Sequence, residues 1–240
     1  MIVSFTDLDN TLFSSIKKNL NICSVITRKD DETASSGMSS QQQKIFDLLN
    51  SNTTVIPVTG RNLQQFLRVK LPFNSYAVLS FGGLILNPDK SVNEEWSEKI
   101  TSNVSETLFD CVYDLCRETY QILLPHAKVR IVSELGKKLY IVVKSSSPRL
   151  RSISDAMKED ERLYSFNILE GQDEIAIIPK TFSKRLAVDF LKKELLKETG
   201  ENCLFLGCGD SISDISFMSS CHFSIVPHKS QIYKMFAGEF

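Results

Sequence analysis

Apolar residues gather along this chain in short, nearly unbroken runs: IVSFT at 2–6, TTVIPV at 53–58, YAVLSF at 76–81, CLFLG at 203–207 and HFSIV at 222–226. Runs this short, rich in β-branched and aromatic side chains, predict strands. Their lack of polar alternation predicts a parallel sheet covered on both faces. Between them the period lengthens to that of a helix. Ile45, Leu48 and Leu49 share one face of 41–50, and Ser39 with Gln42 has the spacing of a capping box at its start. Leu63, Phe66 and Leu67 repeat the i, i+3, i+4 spacing within 62–70, and Leu186, Phe190, Leu191 and Leu195 mark a later stripe. Strands and helices in alternation predict a doubly wound, Rossmann-like α/β core.

The rhythm changes from 87 to 171. Here the pattern predicts a helix (105–122), two strands (128–134 and 138–144), a second helix (148–160), and further strands near 164–169 and 173–178. KVRIVSELGKKLYIVVK reads as a hairpin turning at Gly136. Hairpins inside an otherwise α/β chain predict an inserted α+β domain at 87–171, with the core built from 1–86 and 172–240. The polar, Ser-rich segment TRKDDETASSGMSSQQQ at 27–43 is expected to be a surface loop.

Composition narrows the function classes. With 240 residues, 42% apolar and 24% charged, the chain is a globular protein with a sizeable core rather than a disordered one. A net charge of −1 gives no electrostatic case for nucleic acid or an anionic membrane as partner. No run approaches the length of a membrane span and the start lacks the pattern of a signal peptide, so a cytoplasmic location is expected. The six cysteines form no CxxC pair, three histidines do not complete a zinc set, and all six thiols are expected to be reduced and structural.

Candidate chemistry lies where strands end, which is where open α/β sheets bind ligands. Asp7 and Asp9 follow the first strand, Thr59, Gly60 and Arg61 the second, and Asp210 and Asp214 the fourth, while Lys184 stands before the helix leading to that strand. Carboxylates converging on one point suit Mg²⁺, which takes hard oxygen ligands. Beside that ion one Asp stays ionised as a nucleophile while a second, two residues on, carries a proton. A hydroxyl, backbone amides and a lysine suit a phosphate, so the expected chemistry is phosphoryl transfer through an aspartyl phosphate.

DLDNT after a strand, VTGR after the next, a downstream lysine and GDSISD after LFLG together resemble the four motifs of the haloacid dehalogenase superfamily of phosphohydrolases. The matching segments are 2–14, 53–63 and 174–226. The resemblance implies that Asp7 is the nucleophile and a metal ligand, and that Asp9 is the general acid and base, contributing its backbone carbonyl to the metal. Asp210 and Asp214 would complete the metal site, and Thr59 and Lys184 would hold the phosphoryl group. Gly60, Asn10 and Arg61 are the remaining candidates for phosphate contacts. An acid at position 9 favours phosphate chemistry over carbon–halogen cleavage. The inserted domain resembles the class II cap of the Cof-type and sucrose-phosphate-phosphatase-like groups, which selects the leaving group. The 14–40 excursion stands where the superfamily carries a flap, and Ser213 replaces the Asn that many capped relatives have. The implied activity is Mg²⁺-dependent hydrolysis of a small phosphomonoester, a sugar phosphate or similar metabolite. A phosphomutase on the same core, a phosphorylated signalling receiver and a non-catalytic phospho-ligand module are the competing readings.

Overall fold

The computed structural model describes residues 1–17, 21–101, 105–124, 126–171, 173–200 and 202–238. The chain divides into two compact units, one of Met1–Trp96 with Lys184–Phe240 and the other of Ser97–Ser183.

In the first unit the strands Phe223–Ile225, Leu204–Cys208, Ile2–Thr6 and Thr54–Pro57 lie side by side in that order, all parallel. Ile2–Thr6 is central, with Phe5 opposite Gly207 on one side and Ile56 on the other. A central strand meets packing partners on both faces, which explains its continuous apolar run: Val3 and Phe5 are fully buried. Each such side chain contributes about 1.5–3 kcal/mol of burial. Gly207 has no side chain because Met218 lies where one would go, a Cβ there falling 2.9 Å from the Met218 backbone.

The run at 76–81 forms a shorter strand than expected, Ala77–Leu79. It joins the parallel sheet through a bridge from Val58 to Val78 and then folds back antiparallel on Leu84–Leu86. Helix Ser40–Asn52 starts with the expected reciprocal cap, Gln42 N–H donating to Ser39 Oγ at 3.2 Å and Ser39 N–H to Gln42 Oε1 at 3.1 Å. Its buried stripe is rotated from the one predicted: Phe46 and Leu49 are buried, Ile45 is partly buried and Leu48 is exposed. Helix Leu63–Leu67 likewise buries Phe66 and exposes Leu67. In helix Lys184–Thr199, Phe190, Leu191 and Leu195 are buried while Leu186 is exposed.

Residues 27–43 do not form an irregular loop. Ile22–Arg28 and Ala34–Ser39 pair antiparallel and, with Ser14–Ser15, make a small three-stranded sheet; residues 18–20 lie outside the described residues. Cross-strand chemistry substitutes for hydrophobic alternation. The Thr27 and Ser35 hydroxyls are 2.7 Å apart, Met38 is fully buried, and Gly37 permits close approach, since a Cβ there would fall 2.5 Å from the Ser24 carbonyl oxygen.

The second unit is an antiparallel sheet in the order Phe166–Glu170, Glu174–Pro179, Lys137–Lys144, Lys128–Glu134. Its hairpin turns at Leu135 and Gly136, whose φ angles of 51° and 79° suit a two-residue turn with both centres left-handed. Helix Glu106–Leu115, continued by a π-helical turn at Cys116–Tyr120, and helix Leu150–Glu159 contribute Phe109, Val112, Ile153 and Met157 to a core with Ile141, Val143, Ile175 and Ile177. Strand Glu174–Pro179 hydrogen bonds inside this sheet, so the unit extends to Ser183 rather than ending at 171; residue 172 lies outside the described residues. It begins at Ser97 rather than 87. Trp96 belongs to the first unit, where it is buried, packs on Phe190 and donates from Nε1 to the Gly82 carbonyl at 2.9 Å. Among the described residues no helix is long and apolar enough to cross a membrane.

Candidate active site

The carboxyl end of strand Ile2–Thr6 delivers Asp7 into the interior of the first unit. Its N–H donates to the Cys208 carbonyl at 2.8 Å, continuing the parallel ladder by one residue. The chain then turns sharply. Leu12 N–H reaches the Leu8 carbonyl, and Asn10, at φ 63°, donates its N–H to Phe13. The turn separates the two acids: Asp7 is buried, whereas the Asp9 side chain is 47% exposed.

Lys184, the first residue of its helix, is buried and reaches both Asp7 Oδ1 and Asp214 Oδ1 at 2.7 Å. Asp214 is fully buried in the first turn of helix Ile212–Met218, where acids are favoured, and its Oδ2 accepts from Ser211 N–H at 3.0 Å and Ser211 Oγ at 2.7 Å. Thr11 bridges the remaining pair, at 3.4 Å from Asp7 Oδ2 and 3.3 Å from Asp210 Oδ1. Carboxylate oxygens of Asp7, Asp210 and Asp214 all lie within 4.8 Å of one another.

Three acids share one buried ammonium, and the electrostatics reflect the imbalance. Burial pushes the Asp7 carboxyl well above its ordinary value; Lys184 pulls it back, while Asp214 and Asp210 add to the rise. Burial, then Asp214, pushes Asp210 up to about 6 against the pull of Lys184 and Thr11. Burial works against the charge on Lys184, yet Asp214 and Asp7 hold its ammonium above the ordinary lysine value. A cluster of hard oxygens carrying surplus negative charge suits a divalent cation, which would relieve the repulsion that raises both carboxyls.

The family model described as Sucrose-6F-phosphate phosphohydrolase matches residues 1–234. The chain belongs to this family. It is a phosphoric monoester hydrolase of the haloacid dehalogenase type. Solved structures share its fold. The sucrose-phosphatase of Synechocystis sp. PCC6803, determined with sucrose and phosphate, is 16% identical over 99% of this chain and 96% of its own, with a TM-score of 0.57. The C-terminal domain of the C. albicans trehalose-6-phosphate phosphatase is 15% identical over 91% of this chain and 73% of its own, with a TM-score of 0.58. A haloacid dehalogenase-like hydrolase from Bacteroides thetaiotaomicron is 12% identical over 100% and 99% of the two chains, with a TM-score of 0.56. No match was found among curated protein sequences.

In this phosphohydrolase Asp7, Lys184, Asp210 and Asp214 converge, while the side chains of Asp9 and Arg61 form a separate pair. Arg61 donates from Nε to Asp9 Oδ2 and from Nη2 to Asp9 Oδ1, each at 2.7 Å. Thr59 is buried and its Oγ1 accepts from Arg61 N–H at 3.1 Å; at Gly60 a Cβ would meet the Phe81 ring at 2.5 Å. Asn10 is exposed at the turn. Ser213 Oγ lies 2.8 Å from Ser211 Oγ, next to the Asp214 cap. Two residues beyond the expected set matter here, Thr11 and Ser211. Thr11 stands four residues after Asp7 inside DLDNT, so the motif contained the signal. Ser211 carried its signal in the spacing to Asp214, that of a capping box. His222 accepts from Phe205 N–H at 2.9 Å through Nδ1 and stacks on the Phe205 ring, a packing role.

Proposed function

We propose that the protein hydrolyses a sugar phosphate, or a similar small phosphomonoester, through an aspartyl phosphate formed on Asp7 with Mg²⁺ as cofactor. The observation that carries this reading is the buried Asp7, held between Lys184 and Thr11 and grouped with Asp210 and Asp214. Asp7, Asp210 and Asp214, with the Asp9 backbone carbonyl, are the groups that would hold the cation. Bound there, it would neutralise charge on the phosphoryl oxygens and let Asp7 remain ionised.

An oxygen of Asp7 attacks phosphorus, and the bond from phosphorus to the ester oxygen breaks. Asp9 gives that oxygen a proton, so the alcohol leaves neutral. Water then attacks the phosphorus of the aspartyl phosphate, loses a proton to Asp9 and frees Asp7 as inorganic phosphate departs. Lys184 stabilises charge on the phosphoryl group, and Thr59, Gly60 and Asn10 border it at the strand ends. The sugar-phosphate class is supported by family membership and by the sucrose- and trehalose-phosphate phosphatases that share the fold.

The test is phosphate release from p-nitrophenyl phosphate and from a panel including sucrose-6F-phosphate, with the native protein and Asp7→Asn. The native protein should turn over with Mg²⁺, and the variant should be slower by on the order of a thousandfold or more. Full activity in Asp7→Asn would sink the mechanism, and a substrate that is isomerised without phosphate release would replace hydrolysis by a mutase.

A further inference from the structure

Arg61 is held more firmly than a phosphate contact requires. Its guanidinium meets both oxygens of Asp9 at 2.7 Å in a forked pair and lies over the Phe13 ring, 4.9 Å from the centroid. Phe13 is fully buried, and the Asn10–Phe13 hydrogen bond that closes the turn after Asp7 puts its ring behind the fork. The Arg61 backbone is fixed from both sides, its N–H donating to Thr59 Oγ1 and its carbonyl accepting from Ser80 N–H at 2.9 Å. Ser80 and Phe81 have φ of 51° and 58°, two consecutive left-handed residues without glycine's freedom, and Phe81 N–H is tied to the Thr59 carbonyl at 3.1 Å. Strain of this kind persists only where surrounding structure over-determines it. Here that structure ends in one side chain aimed at one carboxyl.

We propose that Arg61 is a positioning residue that fixes the plane of the Asp9 carboxyl for proton transfer to the departing ester oxygen. The inference rests on the phosphohydrolase reading above and adds to it how the general acid is aimed. A carboxyl has four lone-pair sites; the fork occupies two and leaves a third to bear the proton that passes to the leaving oxygen. As the phosphorus–oxygen bond breaks, that oxygen takes the proton and Asp9 is left as a carboxylate against Arg61. A freely rotating Asp9 would face the leaving oxygen in only a fraction of encounters.

Leaving groups separate this role from phosphate binding. p-Nitrophenolate departs well without a proton, whereas phenolate needs one, so misaiming Asp9 slows only the second. The value of kcat/KM reports steps up to formation of the aspartyl phosphate, which isolates the departure step. Arg61→Met and Arg61→Lys are compared with the native protein on p-nitrophenyl phosphate and phenyl phosphate. Both variants should keep kcat/KM on p-nitrophenyl phosphate within about threefold and lose roughly thirtyfold on phenyl phosphate. The lysine variant is included because its ammonium meets one oxygen rather than two, so retained charge does not restore the aim. A fall of equal size on both substrates, carried by KM, overturns the proposal in favour of a phosphate contact, and native values on both overturn it outright. Activity on p-nitrophenyl phosphate shows that each variant is folded. Failure of the underlying reading shows separately, as full activity in Asp7→Asn.

Discussion

Thr11 shows how much a single hydroxyl can do at this site. It stands between Asp7 and Asp210, which are carried by opposite ends of the chain, and its contacts to both are 3.3–3.4 Å long. Its single O–H serves one of the two at a time, so removing it leaves one buried oxygen short of a donor at a cost of about 1–3 kcal/mol, equivalent to roughly 5–150-fold. Thr11→Val should therefore lower kcat/KM on p-nitrophenyl phosphate by about tenfold or more, and Thr11→Ser should recover most of it; equal loss in both variants would assign the effect to packing. At this scale Asp7, Asp210, Asp214 and Lys184 were legible as candidates because each follows a strand run or opens a helix, and the parallel sheet brings those positions together. Thr11 lies inside the DLDNT motif, but its second partner is not legible there, because Asp210 is 199 residues away and only the fold brings it near. Arg61 is legible as a candidate at a strand end but not as the partner of Asp9, which is 52 residues distant.

Glycines separate elements that merely turn from elements that approach a neighbour. Gly136 turns the hairpin of the second unit at φ 79°, with nothing within 4 Å of an added Cβ. Gly136→Ala should cost only the backbone term, about 1–2 kcal/mol, seen as a melting temperature lower by roughly 2–8 °C with kcat/KM unchanged. Gly60 is different, because an added methyl would meet the Phe81 ring at 2.5 Å on the strained turn that holds Arg61. Gly60→Ala should lower kcat/KM by more than tenfold for about 1–3 kcal/mol of stability. Melting and aryl phosphate hydrolysis measured side by side check both, and the opposite pattern would refute them. Elements with long apolar runs were legible for the reason that burial on two faces leaves little choice of residue. The Ala34–Ser39 strand was hidden because its residues are poor strand formers, and what stabilises it is a hydroxyl pair and a close backbone approach. Periodicity located the stripe on Ser40–Asn52 but not its centre, which is why Leu48 proved exposed and Phe46 buried.

For the whole molecule, the acid cluster is a conditional source of stability. Asp210 is raised toward about 6 and Asp7 is raised as well, so the folded protein holds protons there that the unfolded chain has released. Stability from these groups is present below the ordinary carboxylate range and is lost as pH rises through the folded values. With a chelator, the melting temperature should fall between pH 5 and pH 7.5. Added Mg²⁺ should close the gap at pH 7.5, by about 2.7 kcal/mol when the ion is a hundredfold above its Kd, or roughly 5–10 °C. A melting temperature indifferent to the ion at pH 7.5 would contradict a cation at Asp7, Asp210 and Asp214. The same cluster has a consequence in time as well as in energy. The central strand pair joins Ile2–Thr6 to Leu204–Cys208, so Asp7 is synthesised well before Lys184, 177 residues later, and before Asp210 and Asp214. A nascent chain that has not yet reached Lys184 carries Asp7 without its counter-ion, and under the proposed mechanism it stays silent toward phosphate esters until Leu204–Cys208 closes the sheet beside it.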